Sequence, residues 1–158
     1  MRIGILTGGG DCPGLNAAIR SIVRKALAFG HEAIGIKYGW KGLLTSEFFS
    51  LDLNNISGIL PRGGTILGTS RTNPYKHPDG EKTIIENLEK EKIDALVAIG
   101  GEDTLSVAYK LHKAGVNVVG IPKTIDNDVR GTDYSIGFDT AVNIAMEAID
   151  RIHTTAES

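Results

Sequence analysis

The 158 residues carry 17 Lys and Arg against 19 Asp and Glu, which excludes the basic footprint of a nucleic-acid binder. The length suits one domain with a single core. The one cysteine, Cys12, can form no internal disulfide, and no apolar run is long enough to span a membrane, so a cytoplasmic protein without membrane or nucleic-acid partners is expected. A first strand beginning almost at Met1 leaves no room for a signal peptide.

Ile3-Gly4-Ile5-Leu6 predicts a buried parallel strand ending in Thr7 and the triplet Gly8-Gly9-Gly10. Leu15, Ile19, Ile22, Val23, Ala26 and Leu27 recur at helical spacing. With Pro13 in the first turn and Gly30 at the C-terminal cap, they predict a helix over about 13–29. Ala33-Ile34-Gly35-Ile36 predicts the next strand, and the glycine-punctuated stretch from Tyr38 to Leu44 a loop. Residues 45–62 carry weaker signals, a short strand at 48–50 and a helical turn after Asp52.

Residues 72–80, with two prolines and Gly80, predict an exposed loop, and 81–91 a polar helix. Asp94 to Ile99 predicts a strand, and Leu105, Ala108 and Leu111 a helix ended by Gly115. Val116 to Ile121 predicts a further strand. The last helix is expected from Asp139 to His153, with Val142, Ala145, Ile149 and Ile152 on one face. Strands alternating with helices give an α/β fold, Rossmann-like, with a mainly parallel sheet and right-handed crossovers. The sequence stops at His153–Ser158 straight off a helix, and it reads as the first half of something larger.

The 20 glycines cluster where chemistry is expected, at Gly8–Gly10, Gly63-Gly64 and Gly100-Gly101, all after apolar segments. The loop Gly8-Gly9-Gly10-Asp11-Cys12-Pro13-Gly14 lies between a strand and a helix N-terminus, where backbone N–H groups and the helix dipole attract phosphate. It matches neither the dinucleotide fingerprint nor the lysine-containing P-loop, and a tight structural turn is the plain alternative. Arg71 follows a run of glycines and hydroxyls, either a fork for two phosphate oxygens or a solvated surface arginine.

Glu102 and Asp103 follow the strongest strand and suit either Mg²⁺ ligation beside phosphate or simple helix capping. Asp126 and Asp128 flank Asn127 after the next strand, next to Lys123. Such a triplet is often a plain turn, but beside a second acidic strand end it suits a general base. His31, His77, His112 and His153 show no metal-ligand spacing and are expected at the surface. Cys12 is read as small rather than reactive, and Trp40 as bordering the pocket or packing beneath it. Arg20 and Arg24 lie one turn apart, as an anion pair or an exposed face.

Gly8 to Arg20, Gly63 to Arg71, Gly100-Gly101-Glu102, Thr124-Ile125-Asp126-Asn127-Asp128 and Tyr134 to Ala141 together resemble the 6-phosphofructokinase family, in that family's order and across the whole chain. The resemblance implies the N-terminal half of the phosphofructokinase fold, with residues 1–158 forming the phosphoryl-donor-binding domain. It implies phosphoryl transfer to the 1-hydroxyl of fructose 6-phosphate. Carried over by position, Gly9, Gly10, Gly101, Asp103, Thr104 and Lys123 would line the donor site and Arg71 would bridge its phosphates. Glu102 would be the Mg²⁺ carboxylate, Asp126 the general base, and Thr124 and Asp128 positioning residues. Arg20 and Arg24 match two allosteric-site arginines of the bacterial ATP enzymes.

ATP-using members of the family typically have glycine at the positions of Asp103 and Lys123. The pair here resembles the pyrophosphate-dependent branch, so pyrophosphate is the expected donor and ATP the alternative. A side chain at 103 adds bulk and negative charge where a nucleotide would lie, and Lys123 supplies a cation for a compact donor. Family members are about twice this length and form dimers or tetramers. The isolated chain is expected to have little turnover, a donor-binding module being the non-enzymatic alternative. An NAD or lipid kinase, sharing a Gly-Gly-Asp-Gly-type loop, is opposed by the stretch from Pro122 to Asp128 and by Phe138-Asp139-Thr140.

Overall fold

The computed structural model describes residues 1–156, so Glu157 and Ser158 of the expected terminal stretch lie outside the described residues. A six-stranded sheet has the order β3-β2-β1-β4-β5-β6. Its strands are β1 (Arg2–Thr7), β2 (Glu32–Ile36), β3 (Phe48–Leu51), β4 (Ala95–Gly100), β5 (Val118–Thr124) and β6 (Ile136–Gly137). All neighbours pair parallel except β3, which returns antiparallel on β2 with Ala33 opposite Leu51. This is the strand order of dinucleotide-binding α/β folds, in which the direction of winding reverses between β1 and β4.

Alternation along the strands divides the core into two layers. On one face Ile5 and Ile99 pack against Leu15, Ile19, Val23 and Ala26 of helix α1 (Leu15–Ala28). On the other, Leu6, Leu96 and Ala98 meet α2 (Trp40–Thr45), α3 (Gly80–Lys90) and α4 (Glu102–Lys113) through Leu43, Ile84, Leu88, Val107 and Leu111. The α/β architecture expected from the alternating pattern is therefore present, in three layers. Helix α1 ends as expected, with Gly30 at φ 71 and the His31 N–H reaching back to the Ala26 carbonyl at 2.9 Å.

Several elements differ from expectation. The predicted loop from Tyr38 to Leu44 contains α2, whose Gly42 is enforced by packing. A Cβ there would lie 1.9 Å from the Lys37 carbonyl oxygen, so the glycine marks close approach rather than a loop. Helix α1 starts at Leu15, because Gly14 at φ 94 cannot continue a helix towards Pro13. Residues after Asp52 form turns, and a short 3-10 segment, Pro74–Lys76, lies within the predicted 72–80 loop. Strand β6 has only two residues, too few to show a period.

Helix α5 (Phe138–Ala156) carries the expected apolar stripe, and that stripe is exposed, with Val142 39%, Ile149 62% and Ile152 65% exposed. Val119 on β5 is likewise 62% exposed.

Candidate phosphoryl-transfer site

The C-terminal ends of β1, β4 and β5 open onto one cleft of about 590 Å³, at the switch point where an open α/β sheet binds its ligands. Gly9, Gly10 and Asp11 come from the end of β1, Gly101 to Thr104 from the end of β4, and Lys123 to Asp126 with Asp128 from the end of β5. Ser70 to Asn73 and Lys76 form the fourth wall. Each sequence-predicted site residue, Arg71 and Glu102 included, borders this cleft.

The opening turn is held from beneath. Gly8 N–H donates to the Ile99 carbonyl at 2.9 Å, tying the end of β1 to β4. Gly9, at φ 80, donates its N–H to the Ser70 carbonyl at 3.1 Å, so that N–H is already occupied. Gly10 is exposed, and a Cβ there would meet nothing within 4 Å, which leaves space beside it for a ligand. Thr104 is buried under this turn, its hydroxyl 2.5 Å from where a Gly8 Cβ would stand and its Cβ 2.4 Å from that of Gly100. Both glycines are thus required by the approach of one threonine.

Gly101 precedes helix α4 without a side-chain cap, and the helix start from Gly101 to Thr104 lines the cleft. Glu102 and Asp103 occupy its first turn and are exposed. Lys123 is 4% exposed, and its ammonium donates to the Gly10 carbonyl. A buried cation is thereby placed beneath the open turn.

The Thr124–Asp128 loop separates support from chemistry. Asn127 adopts a left-handed φ of 53 and turns inward. Its amide oxygen accepts the Ser135 N–H at 2.9 Å and its amide nitrogen donates to the Asp133 carbonyl at 3.2 Å. Ser135, 5% exposed, also donates its hydroxyl to the Thr124 carbonyl at 2.9 Å. With Asn127 braced in this way, Asp126 and Asp128 remain exposed on the cleft. The Asp126 N–H donates to the Thr124 hydroxyl at 3.1 Å.

Cys12 is buried, with its thiol donating to the Ile136 carbonyl at 3.5 Å. Burial pushes its pKa up, against the opposing charge of Lys123 and with a further push from Asp11, so the thiol is held protonated. Trp40 does both things foreseen for it, bordering the cleft while only 2% exposed. Arg24 is exposed and Arg20 half-buried on α1. Lys76, Asn73 and Ser70 were not singled out by sequence. Ser70 had a signal in its glycine and hydroxyl run, whereas nothing local marks Lys76, which the fold alone brings to the cleft.

The family model described as Phosphofructokinase matches residues 2–158. The chain belongs to the phosphofructokinase family. It is 61% identical over its full length to the pyrophosphate–fructose 6-phosphate 1-phosphotransferase of Amycolatopsis methanolica, covering 47% of that protein. It is 55% identical, again over its full length, to ATP-dependent 6-phosphofructokinase 3 of Streptomyces coelicolor, covering 47% of it. Among solved structures, Pichia pastoris phosphofructokinase in the T-state superposes with a TM-score of 0.90 at 32% identity, over 96% of this chain and 18% of that one. The pyrophosphate-dependent phosphofructokinase of Nitrosospira multiformis shares the fold, with a TM-score of 0.86 at 21% identity, over 99% of this chain and 42% of that one. The chain thus spans about half the length of the curated relatives it matches, with 47% of each of these two covered. Among the described residues no helix is long and apolar enough to cross a membrane.

Proposed function

We propose that this chain forms the donor half of an enzyme that transfers a phosphoryl group from pyrophosphate to the 1-hydroxyl of fructose 6-phosphate. The observation that carries the reading is the convergence of Gly10, Arg71, Glu102, Lys123 and Asp126 on one cleft from separate parts of the chain. Together they supply what phosphoryl transfer requires, namely phosphate positioning, charge stabilisation and a proton acceptor.

The Gly10 backbone and the uncapped start of α4 receive the donor phosphates. Arg71 has no partner in the three ion pairs formed among the described residues, and its guanidinium spreads the charge of the transferring group. Asp126 takes the proton of the attacking sugar hydroxyl, with Thr124 and Asp128 setting its position.

The cleft's carboxylates outnumber its cations, five (Asp11, Glu102, Asp103, Asp126, Asp128) against three (Arg71, Lys76, Lys123), so a polyanion needs an added positive charge to enter. Among the described residues no group of three or more His, Cys, Asp or Glu side chains could cage a metal unaided. Both facts fit Mg²⁺, which is held by one or two carboxylates and completed by phosphate oxygens and water. Glu102 would hold it, and it would supply charge neutralisation at the phosphates.

Relatives named for pyrophosphate and for ATP match at 61% and 55% identity, so the donor assignment rests on residues. Asp103 places a carboxylate on the cleft wall at the first turn of α4, and Lys123 sets a buried cation beside the Gly8–Gly10 turn. A compact anion gains from the second and lacks the nucleoside that the first would crowd. Calorimetric titration with magnesium pyrophosphate and then magnesium ATP tests this. Binding of pyrophosphate alone supports it, and tight ATP binding overturns the donor while leaving the family intact. With fructose 6-phosphate added, the isolated chain is expected to give little or no turnover. Full turnover would overturn that expectation. In the whole protein, a homodimer or homotetramer in the cytoplasm is the corresponding proposal.

A further inference from the structure

The two loops that reach the donor from different parts of the chain meet at one residue, Gly9. The Gly9 N–H donates to the Ser70 carbonyl at 3.1 Å, and the Thr69 hydroxyl donates to the Gly9 carbonyl. Both polar groups of Gly9 are therefore committed to the segment carrying Arg71. The Arg71 side chain is exposed and joins none of the three ion pairs among the described residues. What the fold fixes of Arg71 is therefore the position of its backbone.

That backbone is braced elsewhere, but to other elements. The Thr7 hydroxyl donates to the Gly68 carbonyl at 2.8 Å, and the Ser70 hydroxyl donates to the Tyr38 carbonyl at 2.6 Å. Thr69 supplies the side-chain bond to the glycine turn itself, two residues from Arg71.

We propose that Thr69 is a positioning residue of the donor site, coupling the Gly8–Gly10 turn to Arg71 so that the two close on the donor as one unit. The inference rests on the reading of this cleft as a phosphoryl-donor site. A phosphate seated on Gly10 and bridged by Arg71 must satisfy both loops at once, and a misplacement of about 1 Å in such a clamp can cost about 10²-fold in rate. A half-buried hydroxyl fixing their separation acts on that geometry without touching the donor.

Thr69→Val is close to isosteric and removes the donated hydrogen, whereas Thr69→Ser keeps it. Hydrogen exchange on the ligand-free chain is the first readout. Thr69→Val should speed exchange together at Gly9 and Thr72, the hydrogen-bonded amides of the two loops, with Thr69→Ser matching the parent. Loosening of one loop alone, or of neither, overturns the coupling. Should Thr69→Val fail to fold, Thr69→Ala and Thr69→Ser provide the same comparison. The second readout is the affinity for magnesium pyrophosphate. Thr69→Val should weaken it about tenfold in the parent and less than about twofold in an Arg71→Ala background, since residues acting through one another are not additive. Equal losses in both backgrounds overturn the role through Arg71. If the parent binds neither pyrophosphate nor ATP while both loops still respond together, the donor reading fails and the coupling stands.

Discussion

The ammonium of Lys123, only 4% exposed, donates to the carbonyl of Gly10, joining the end of β5 to the turn after β1 across the intervening strand β4. This places a positive charge directly beneath the most open glycine of the cleft and fixes the orientation of its peptide. Lys123→Met keeps the aliphatic stem and removes both effects. Folding stability is expected to fall by about 1 kcal/mol, the net contribution of one hydrogen bond. Affinity for magnesium pyrophosphate should fall by more than tenfold, about 1.4 kcal/mol or beyond, because the charge is lost as well. Calorimetry alongside urea unfolding separates the two. A stability loss with unchanged affinity would reduce Lys123 to a structural brace.

Asp103 tests donor choice from the opposite side of the cleft. It sits in the first turn of α4, where a carboxylate favours the helix dipole, and it faces the ligand space. Asp103→Gly removes both bulk and charge. It should raise affinity for magnesium ATP by about tenfold or more if the carboxylate is what opposes a nucleotide, at a stability cost of up to about 1 kcal/mol from glycine in a helix. Unchanged ATP affinity in this variant would remove Asp103 from the specificity argument.

Much of this site was legible because strand ends are easy to read. Apolar runs at Ile3–Leu6 and Asp94–Ile99 mark buried strands, and glycines and acids directly after them mark the cleft. What the sequence did not show is division of labour within a motif. Asn127 between two aspartates looks like a third candidate for chemistry, yet its amide is spent on Asp133 and Ser135. Gly9 and Gly10 look equivalent, yet the N–H of one is spent on Ser70 while the other is exposed and held through its carbonyl by Lys123. Tertiary partners decide such differences, and they lie from 6 to 113 residues away. Helix α2 was illegible for a related reason, since a glycine demanded by the Lys37 carbonyl looks the same in sequence as one that ends a helix.

The packing of Thr104 against two glycines predicts a compensating pair of substitutions. A Cβ at Gly8 would stand 2.5 Å from the Thr104 hydroxyl oxygen and 3.0 Å from its methyl carbon. Gly8→Ala should therefore destabilise by about 1–3 kcal/mol, as overpacking does. Thr104→Ala alone leaves a small void and should cost less than about 1.5 kcal/mol. Combined, the alanine methyl enters the space the threonine vacates, and the double variant should be more stable than Gly8→Ala. Thermal unfolding of the three variants decides it, and simple additivity would mean that the clash is relieved by backbone movement instead.

Tyr75 anchors the segment that follows Arg71, and its titration gives that anchor a pH signature. Its hydroxyl donates to the Glu81 carboxylate at 2.6 Å, and the Lys110 ammonium lies 4.7 Å from its ring centroid. Burial first, and then the hydrogen bond and negative charge of Glu81, push the phenol above its ordinary value of 10.0. A raised folded-state pKa means that the stabilisation is complete below the ordinary value and is lost as pH rises towards the folded one. Near pH 8, Tyr75→Phe should be less stable than the parent by about 1 kcal/mol, the net worth of the bond. Above about pH 10 the parent alone loses this contribution, so the two stability curves should converge. Urea midpoints across that range check the sign. Parallel curves would mean that the Tyr75 hydroxyl titrates no differently in the folded and unfolded chains.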